Sequence, residues 1–169
     1  MSLQTFLQTV PEFSDLTNEE IDTLERVMVV HNYPDGETIL SKKHAADDLY
    51  LIMQGEVQIL HEKHNQRGYQ LIKTMKPGEL VGLHSLISHR PTDVNCVTKG
   101  ETRLATLPRS AFELLYQANS TLTHHFQRVI ARQLVRDYKQ VLEVLKQIMF
   151  ASDDAEATRV LHQHIDASS

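Results

Sequence analysis

The chain has 169 residues, 41% hydrophobic and 23% charged, with a formal net charge of −5 when histidine is neutral. That length suits one domain with an appendage, and the composition is that of a chain that buries a core, which excludes collagen-like repetition and wholesale disorder. The acidic balance excludes the broad basic field of a general nucleic-acid binder, so any anion site must be local.

Residues 1–27 read as a helical lead-in. Leu3, Phe6, Leu7 and Val10 recur at threes and fours, Pro11 interrupts, and Thr17-Asn18-Glu19-Glu20 has capping-box spacing ahead of Ile21 and Leu24. From Met28 to Leu107 the pattern changes to short runs rich in Val, Ile, Leu, Tyr and Thr. Turn signals punctuate them at Pro34-Asp35-Gly36, Ala45-Ala46-Asp47-Asp48, Gln54-Gly55, Asn65-Gln66-Arg67-Gly68, Pro77-Gly78 and Lys99-Gly100. About eight short strands at this spacing predict an antiparallel barrel or sandwich. The β unit is placed at 28–118, with a glycine-containing loop at 77–94 and, after Pro108, a short helix (AFELLYQA) capped by Ser110.

Ser120 or Thr121 then starts a long helix within 119–150, followed by a tail at 151–169 in which Asp153 and Asp154 suit a helix N-terminus. Phe126, Ile130, Leu134, Tyr138, Val141, Leu145 and Ile148 share an apolar arc wider than packing on one neighbour requires. Leu134, Tyr138, Val141, Leu145 and Ile148 step by four, three, four and three, the spacing of a coiled-coil seam. The helix is therefore expected to form a homodimer; the alternative is a helix docked lengthwise on its own barrel. Arg128, Arg132, Arg136 and Lys139 lie on the opposite face, which reads as solvated, with contact to an anionic partner as the alternative.

Cys96 is the only cysteine. It excludes an internal disulfide, fits a reducing compartment, and reads as a buried, inert thiol. No run approaches the ~18 apolar residues of a membrane span and the N-terminus lacks a signal-peptide pattern, so a cytoplasmic chain with no membrane contact is expected. Ten histidines raise a metal site, but His61 with His64, His124 with His125, and His162 with His164 fall in segments with no reason to converge. No metal is expected. Nor does a nucleophile face an attendant base, since His84 and Ser85 are merely adjacent, so no enzymatic activity is expected.

The chain resembles the cyclic nucleotide-binding domain superfamily, the sensor module of catabolite-activator-type regulators, kinase regulatory subunits and gated channels. The resemblance covers roughly residues 10–150 and rests on Asp35-Gly36-Glu37-Thr38-Ile39, Asp48-Leu49-Tyr50-Leu51-Ile52-Met53-Gln54-Gly55-Glu56-Val57, Gly68, Lys76-Pro77-Gly78-Glu79, Gly82 and Leu104-Ala105-Thr106-Leu107-Pro108-Arg109-Ser110-Ala111-Phe112. It implies a mainly β, antiparallel double-stranded β-helix or jelly-roll barrel with flanking helices and a long C-terminal helix. It also implies a phosphate-binding cassette at 82–93, in which family members that bind cyclic nucleotides carry a Glu for the ribose hydroxyl and an Arg for the cyclic phosphate. Here Leu83 stands where the Glu is expected and Thr92 where the Arg is expected.

A guanidinium offers a planar charged fork and Thr a single neutral hydroxyl, so loss of the Arg alone weakens phosphate binding roughly ten- to a hundred-fold. Ordinary cAMP binding is expected to be weak or absent. Three ways of holding a ligand stay open: Arg90 swinging inward, backbone N–H groups at the Gly82-Leu83-His84-Ser85 turn, or a different small molecule among Leu83, His84, Ser85, Thr92 and Asp93. Two functions follow. One is a sensor with no resident cofactor, whose cyclic nucleotide or other small ligand shifts the long helix. The other is a ligand-free dimerisation or protein-interaction scaffold. Family members often continue into a winged helix-turn-helix, but the stretch after Phe150 is too short for one, so this chain alone is not expected to read nucleic acid. A stand-alone sensor and the sensor fragment of a transcription regulator both fit.

Overall fold

The computed structural model describes residues 1–42, 47–63, 68–118 and 120–166, and of residues 12 and 151–166 only the backbone. It divides into two units, Met1–Ile130 and Ala131–Ser169.

Helix α1 (Leu3–Thr9) starts at Ser2, whose hydroxyl accepts from the Thr5 N–H at 3.2 Å. Pro11 then opens a 3-10 turn, Pro11–Phe13. Helix α2 (Asn18–Val27) carries the expected capping box: Thr17 Oγ1 accepts from Glu20 N–H at 3.3 Å, and Thr17 N–H donates to Glu20 Oε2 at 2.9 Å.

Six antiparallel strands follow: β1 (Val29–Tyr33), β2 (Thr38–Leu40), β3 (Asp48–Glu62), β4 (Tyr69–Met75), β5 (Leu80–Val81) and β6 (Asn95–Pro108). The first part of β3 pairs with the last part of β6, flanked by β5 and β1. Their other parts pair together, flanked by β4 and β2. The result is a jelly roll whose sheet does not close. The sequence suggests about eight short strands, and the difference lies in two glycine signals that are kinks within long strands. The β3–β6 register shifts between Ile52 and Gln54 and again between Gln54 and Glu56. Gly55 there has φ +79°, and a Cβ on it would sit 2.5 Å from Thr102 Oγ1.

Alternation along the strands feeds two cores. Ile52, Val57, Met75, Val81, Cys96 and Leu104 fill the inside of the roll. Leu49, Leu51, Met53, Ala105 and Leu107 face the other way, against α1, α2 and the start of the last helix. The Phe13 and Phe126 rings, 6.0 Å apart, belong to this second core.

Helix α3 (Leu83–Ser88) sits between β5 and β6. Helix α4 (Arg109–Gln117) begins directly after Pro108, so Ser110 is a first-turn residue and not the cap. Helix α5 (Thr121–Asp166) is capped by Ser120, whose hydroxyl accepts from Thr123 N–H at 3.3 Å. The buried Thr123 hydroxyl donates to the Leu115 carbonyl and ties α5 to α4. α5 continues past Phe150, where the sequence reading ends it, through a stretch with neither Gly nor Pro to stop it. The suggested roles of Ala45, Ala46, His64, Asn65, Gln66 and Arg67, and of the side chains of Asp153, Asp154, His162 and His164, lie outside what is described.

Candidate functional site

The site is the segment that β5 delivers and β6 receives. Val81 pairs with Tyr50 of β3, so the chain leaves the sheet at a fixed point. Gly82 follows with φ 91° and ψ −2°, a left-handed conformation that glycine adopts without strain, and turns the chain into α3. The helix closes when Leu86 N–H donates to the Gly82 carbonyl at 3.0 Å. It ends at His89, φ 54°, the one non-glycine residue with positive φ among those described.

Leu83 is 5% exposed and belongs to the outer core with Leu80, Leu86, Leu107 and Leu122. The next residue, His84, is exposed. Ser85 is buried, and its hydroxyl donates to the Arg90 carbonyl at 2.7 Å, so it braces the loop that returns to β6. Arg90 is exposed, and its backbone N–H donates to Ser88 Oγ at 3.3 Å. Thr92 is half-buried with its hydroxyl accepting from Val94 N–H at 3.3 Å, a local turn contact. Asp93 is exposed. The fold thus gathers Gly82, Leu83, His84, Ser85, Arg90, Thr92 and Asp93 on one short loop, with Leu83, Ser85 and Thr92 each engaged in holding the loop's own shape.

Arg109, the first residue of α4, has a part in this loop that spacing does not reveal. It stands twenty residues from His89, and only the fold brings them together. Its Nη1 donates to the Leu86 carbonyl at 3.0 Å and lies 2.8 Å from His89 Nδ1, and its Nη2 donates to the Ser85 carbonyl at 3.4 Å. The guanidinium therefore caps the C-terminus of α3, engaging the Leu86 carbonyl and adding a donor to the Ser85 carbonyl that already accepts from His89 N–H at 3.1 Å. Arg109 Nε also lies 3.9 Å from an Asp47 carboxylate oxygen, and Arg109 N–H donates to the Asp47 carbonyl at 2.7 Å.

In the core inside the roll, burial pushes the Cys96 thiol up to about 12, far from a reactive thiolate. Burial, then the neighbouring Asp47 charge, raise the Asp48 carboxyl above its ordinary value, against a lowering contribution from the Tyr50 hydroxyl. Burial and the Asp48 charge in turn push the Tyr50 phenol well above its usual range. Among the described residues, no group of three or more His, Cys, Asp or Glu side chains is placed to hold a metal ion. Nor, among the described residues, is any helix long and apolar enough to cross a membrane.

The profile of the cyclic nucleotide-binding domain matches residues 30–119, more than half of the chain. The chain belongs to the cyclic nucleotide-binding domain family. A cAMP-dependent protein kinase regulatory subunit from Pyricularia oryzae is 29% identical over 112 residues, 66% of this chain and 28% of the relative, so the chain spans less than a third of that protein. The crystal structure of a cyclic nucleotide-binding domain from Methylobacillus flagellatus superposes with a TM-score of 0.71 at 25% identity, covering 82% of this chain and 77% of that one. The catabolite activator protein of Thermus thermophilus does so with a TM-score of 0.65 at 26% identity, covering 80% and 63%. These relatives are regulatory and cyclic nucleotide-binding proteins.

In the second unit, Leu134, Tyr138, Val141, Leu145 and Ile148 are 51%, 63%, 57%, 48% and 60% exposed. Phe126 and Ile130, about two turns and one turn before this row, are buried in the first unit's core.

Proposed function

We propose that this chain is a regulatory module of the cyclic nucleotide-binding family whose cassette has lost its grip on the cyclic phosphate. On this reading ordinary cAMP binds weakly or not at all, and the output runs through α5. The observation that carries it is the engagement of the two decisive positions: Leu83 is committed to the outer core and the Thr92 hydroxyl to its own turn. Neither presents the charged or acidic group that a ribose phosphate needs. The cAMP-regulated relatives supply the general role of a domain that governs another activity; the missing Glu and Arg separate this chain from their ligand. Arg109 keeps α3 and its two turns in shape without either residue, so a ligand of different chemistry still has a formed loop to meet.

The exposed row on α5 supports pairing with a second copy of the chain, since five large apolar side chains at coiled-coil spacing are 48–63% exposed. This row also favours a second reading, in which the roll is a ligand-free platform and α5 alone carries the interaction.

A thermal-shift panel of cAMP, cGMP, cyclic dinucleotides and small metabolites separates the two. A ligand at 100 times its dissociation constant adds about 2.7 kcal/mol of stability. The sensor reading expects a shift from a compound other than cAMP or cGMP, and a panel with no shift favours the platform. Light scattering should report a dimer that Tyr138→Asp converts to monomer, whereas a wild-type monomer at micromolar concentration would contradict pairing through α5.

A further inference from the structure

Within the second unit, α5 repeats every seven residues. Written in heptads from Ala131, the stretch reads ARQLVRD, YKQVLEV and LKQIMF. Leu134, Tyr138, Val141, Leu145 and Ile148 occupy the a and d positions, which a pair of helices buries. The e positions flank such a seam and ordinarily carry charge, yet here they are Val135, Leu142 and Met149. Val135 and Met149 are 53% and 65% exposed, with Leu142 half-buried between them along the helix. A seam of two helices is served by a and d alone, whereas an apolar face that adds e is the pattern of a helix meeting more than one neighbour. Pairing with a second copy therefore leaves a further apolar stripe uncovered.

Charge says what fits it. On the helix surface e lies about 40° from a, and b about 60° beyond e. The b positions are Arg132, Lys139 and Lys146, all exposed, so a row of cations runs along the outer rim of the stripe. With Arg136, residues 131–150 hold four cations against Asp137 and Glu143, in a chain whose net charge is −5. Two parallel pairs of this chain closing stripe to stripe about a two-fold axis would run antiparallel and set both basic rows on the same side of the contact, where they repel. A lipid surface needs no heptad: a seven-residue stripe drifts about 20° per repeat around a straight helix and stays in contact only with a helix that coils along it.

We propose that this stripe docks an acidic amphipathic helix of another protein. Its apolar face would lie on Val135, Leu142 and Met149, and its Asp or Glu side chains would run along Arg132, Lys139 and Lys146. This rests on the reading that the output runs through α5, and it names what α5 engages.

The probe is a synthetic helical peptide with Leu at its a and d positions and Glu at e and g, titrated into the full chain and read by fluorescence anisotropy, beside a counterpart with Lys for every Glu. The acidic peptide should bind saturably and about tenfold tighter or more than the basic one, and added salt should weaken it. Val135→Gln with Leu142→Gln should weaken it about tenfold or more while the light-scattering mass stays that of wild type. Lys139→Glu with Lys146→Glu should reverse the preference. Both positions are exposed, so this variant keeps the test decisive if the stripe variant does not fold. Equal affinity for the two peptides, a preference that charge reversal leaves unchanged, full binding in a folded stripe variant, a tetrameric wild-type mass, or adsorption to phosphatidylserine vesicles without binding of either peptide would each overturn the proposal. A monomeric wild type that still binds the acidic peptide through the stripe would retire the pairing and leave the docking site standing.

Discussion

Restoring the family's acid at position 83 should unfold the loop before it recruits a ligand. Leu83 is 5% exposed among Leu80, Leu86, Leu107 and Leu122. Leu83→Glu forfeits about 2 kcal/mol of apolar burial. A carboxyl held in such surroundings has its pKa raised by roughly three units, and at about 1.36 kcal/mol per unit its ionisation near neutral pH is opposed by about 4 kcal/mol. The sum, about 6 kcal/mol, is comparable with the whole stability of a domain, roughly 5–15 kcal/mol. The sign with pH follows. A carboxyl whose folded pKa is raised binds its proton more tightly in the native state, so the penalty is full above that value and shrinks as pH falls towards the unfolded value of about 4.3. Urea denaturation of Leu83→Glu should give a midpoint far below wild type near neutral pH and partial recovery near about pH 5. Leu83→Met, which conserves volume, should cost less than about 1.5 kcal/mol. A Leu83→Glu protein within about 1 kcal/mol of wild type, with no pH dependence of the difference, would refute the burial of Leu83 and reopen position 83 as a ligand contact.

Gly55→Ala should destabilise by more than about 2 kcal/mol, because the φ of +79° is strained for alanine and the new Cβ meets Thr102 Oγ1 at 2.5 Å and the Glu101 carbonyl at 2.6 Å. Gly36→Ala, with φ +78° but open space, should cost only about 1 kcal/mol by thermal melts. Cys96, with its thiol raised to about 12, should resist alkylation in the folded protein. Unfolded chains gain by ionising the thiol from about 8.5 upward, so stability should fall as pH rises through that window, and Cys96→Ala should remove this slope. Arg109→Ala removes the guanidinium's bonds to the end of α3, and hydrogen exchange should show α3 amides opening about tenfold faster or more while the centre of β3 stays protected.

Much of the fold is legible because local rules and tertiary packing agree. The Thr17–Glu20 capping box, Pro11 as a break, Ser120 as the start of α5 and the strand-rich middle all follow from side chains acting on their own backbone. Gln54-Gly55 and Lys99-Gly100 mislead because glycine marks any unusual backbone angle, and only the partner strand decides between a turn and a bend. The start of α4 moves ahead of Ser110 because the chain comes straight off β6. In the site, the residue types at Leu83 and Thr92 on which the proposed function rests can be read from the sequence, but where those side chains go cannot. Leu83 reaches the outer core, and Ser85 and Thr92 close on their own loop. The Arg109 clamp joins residues distant in sequence, and no local pattern encodes such a pairing.

The most direct test of the cassette's lost grip is calorimetric titration of the unmodified protein with cAMP. The expected result is no saturable heat at micromolar concentrations, with measurable binding appearing on Thr92→Arg, a change at a half-buried position that gives up one local hydrogen bond. A tight, stoichiometric isotherm from the wild-type chain would contradict it.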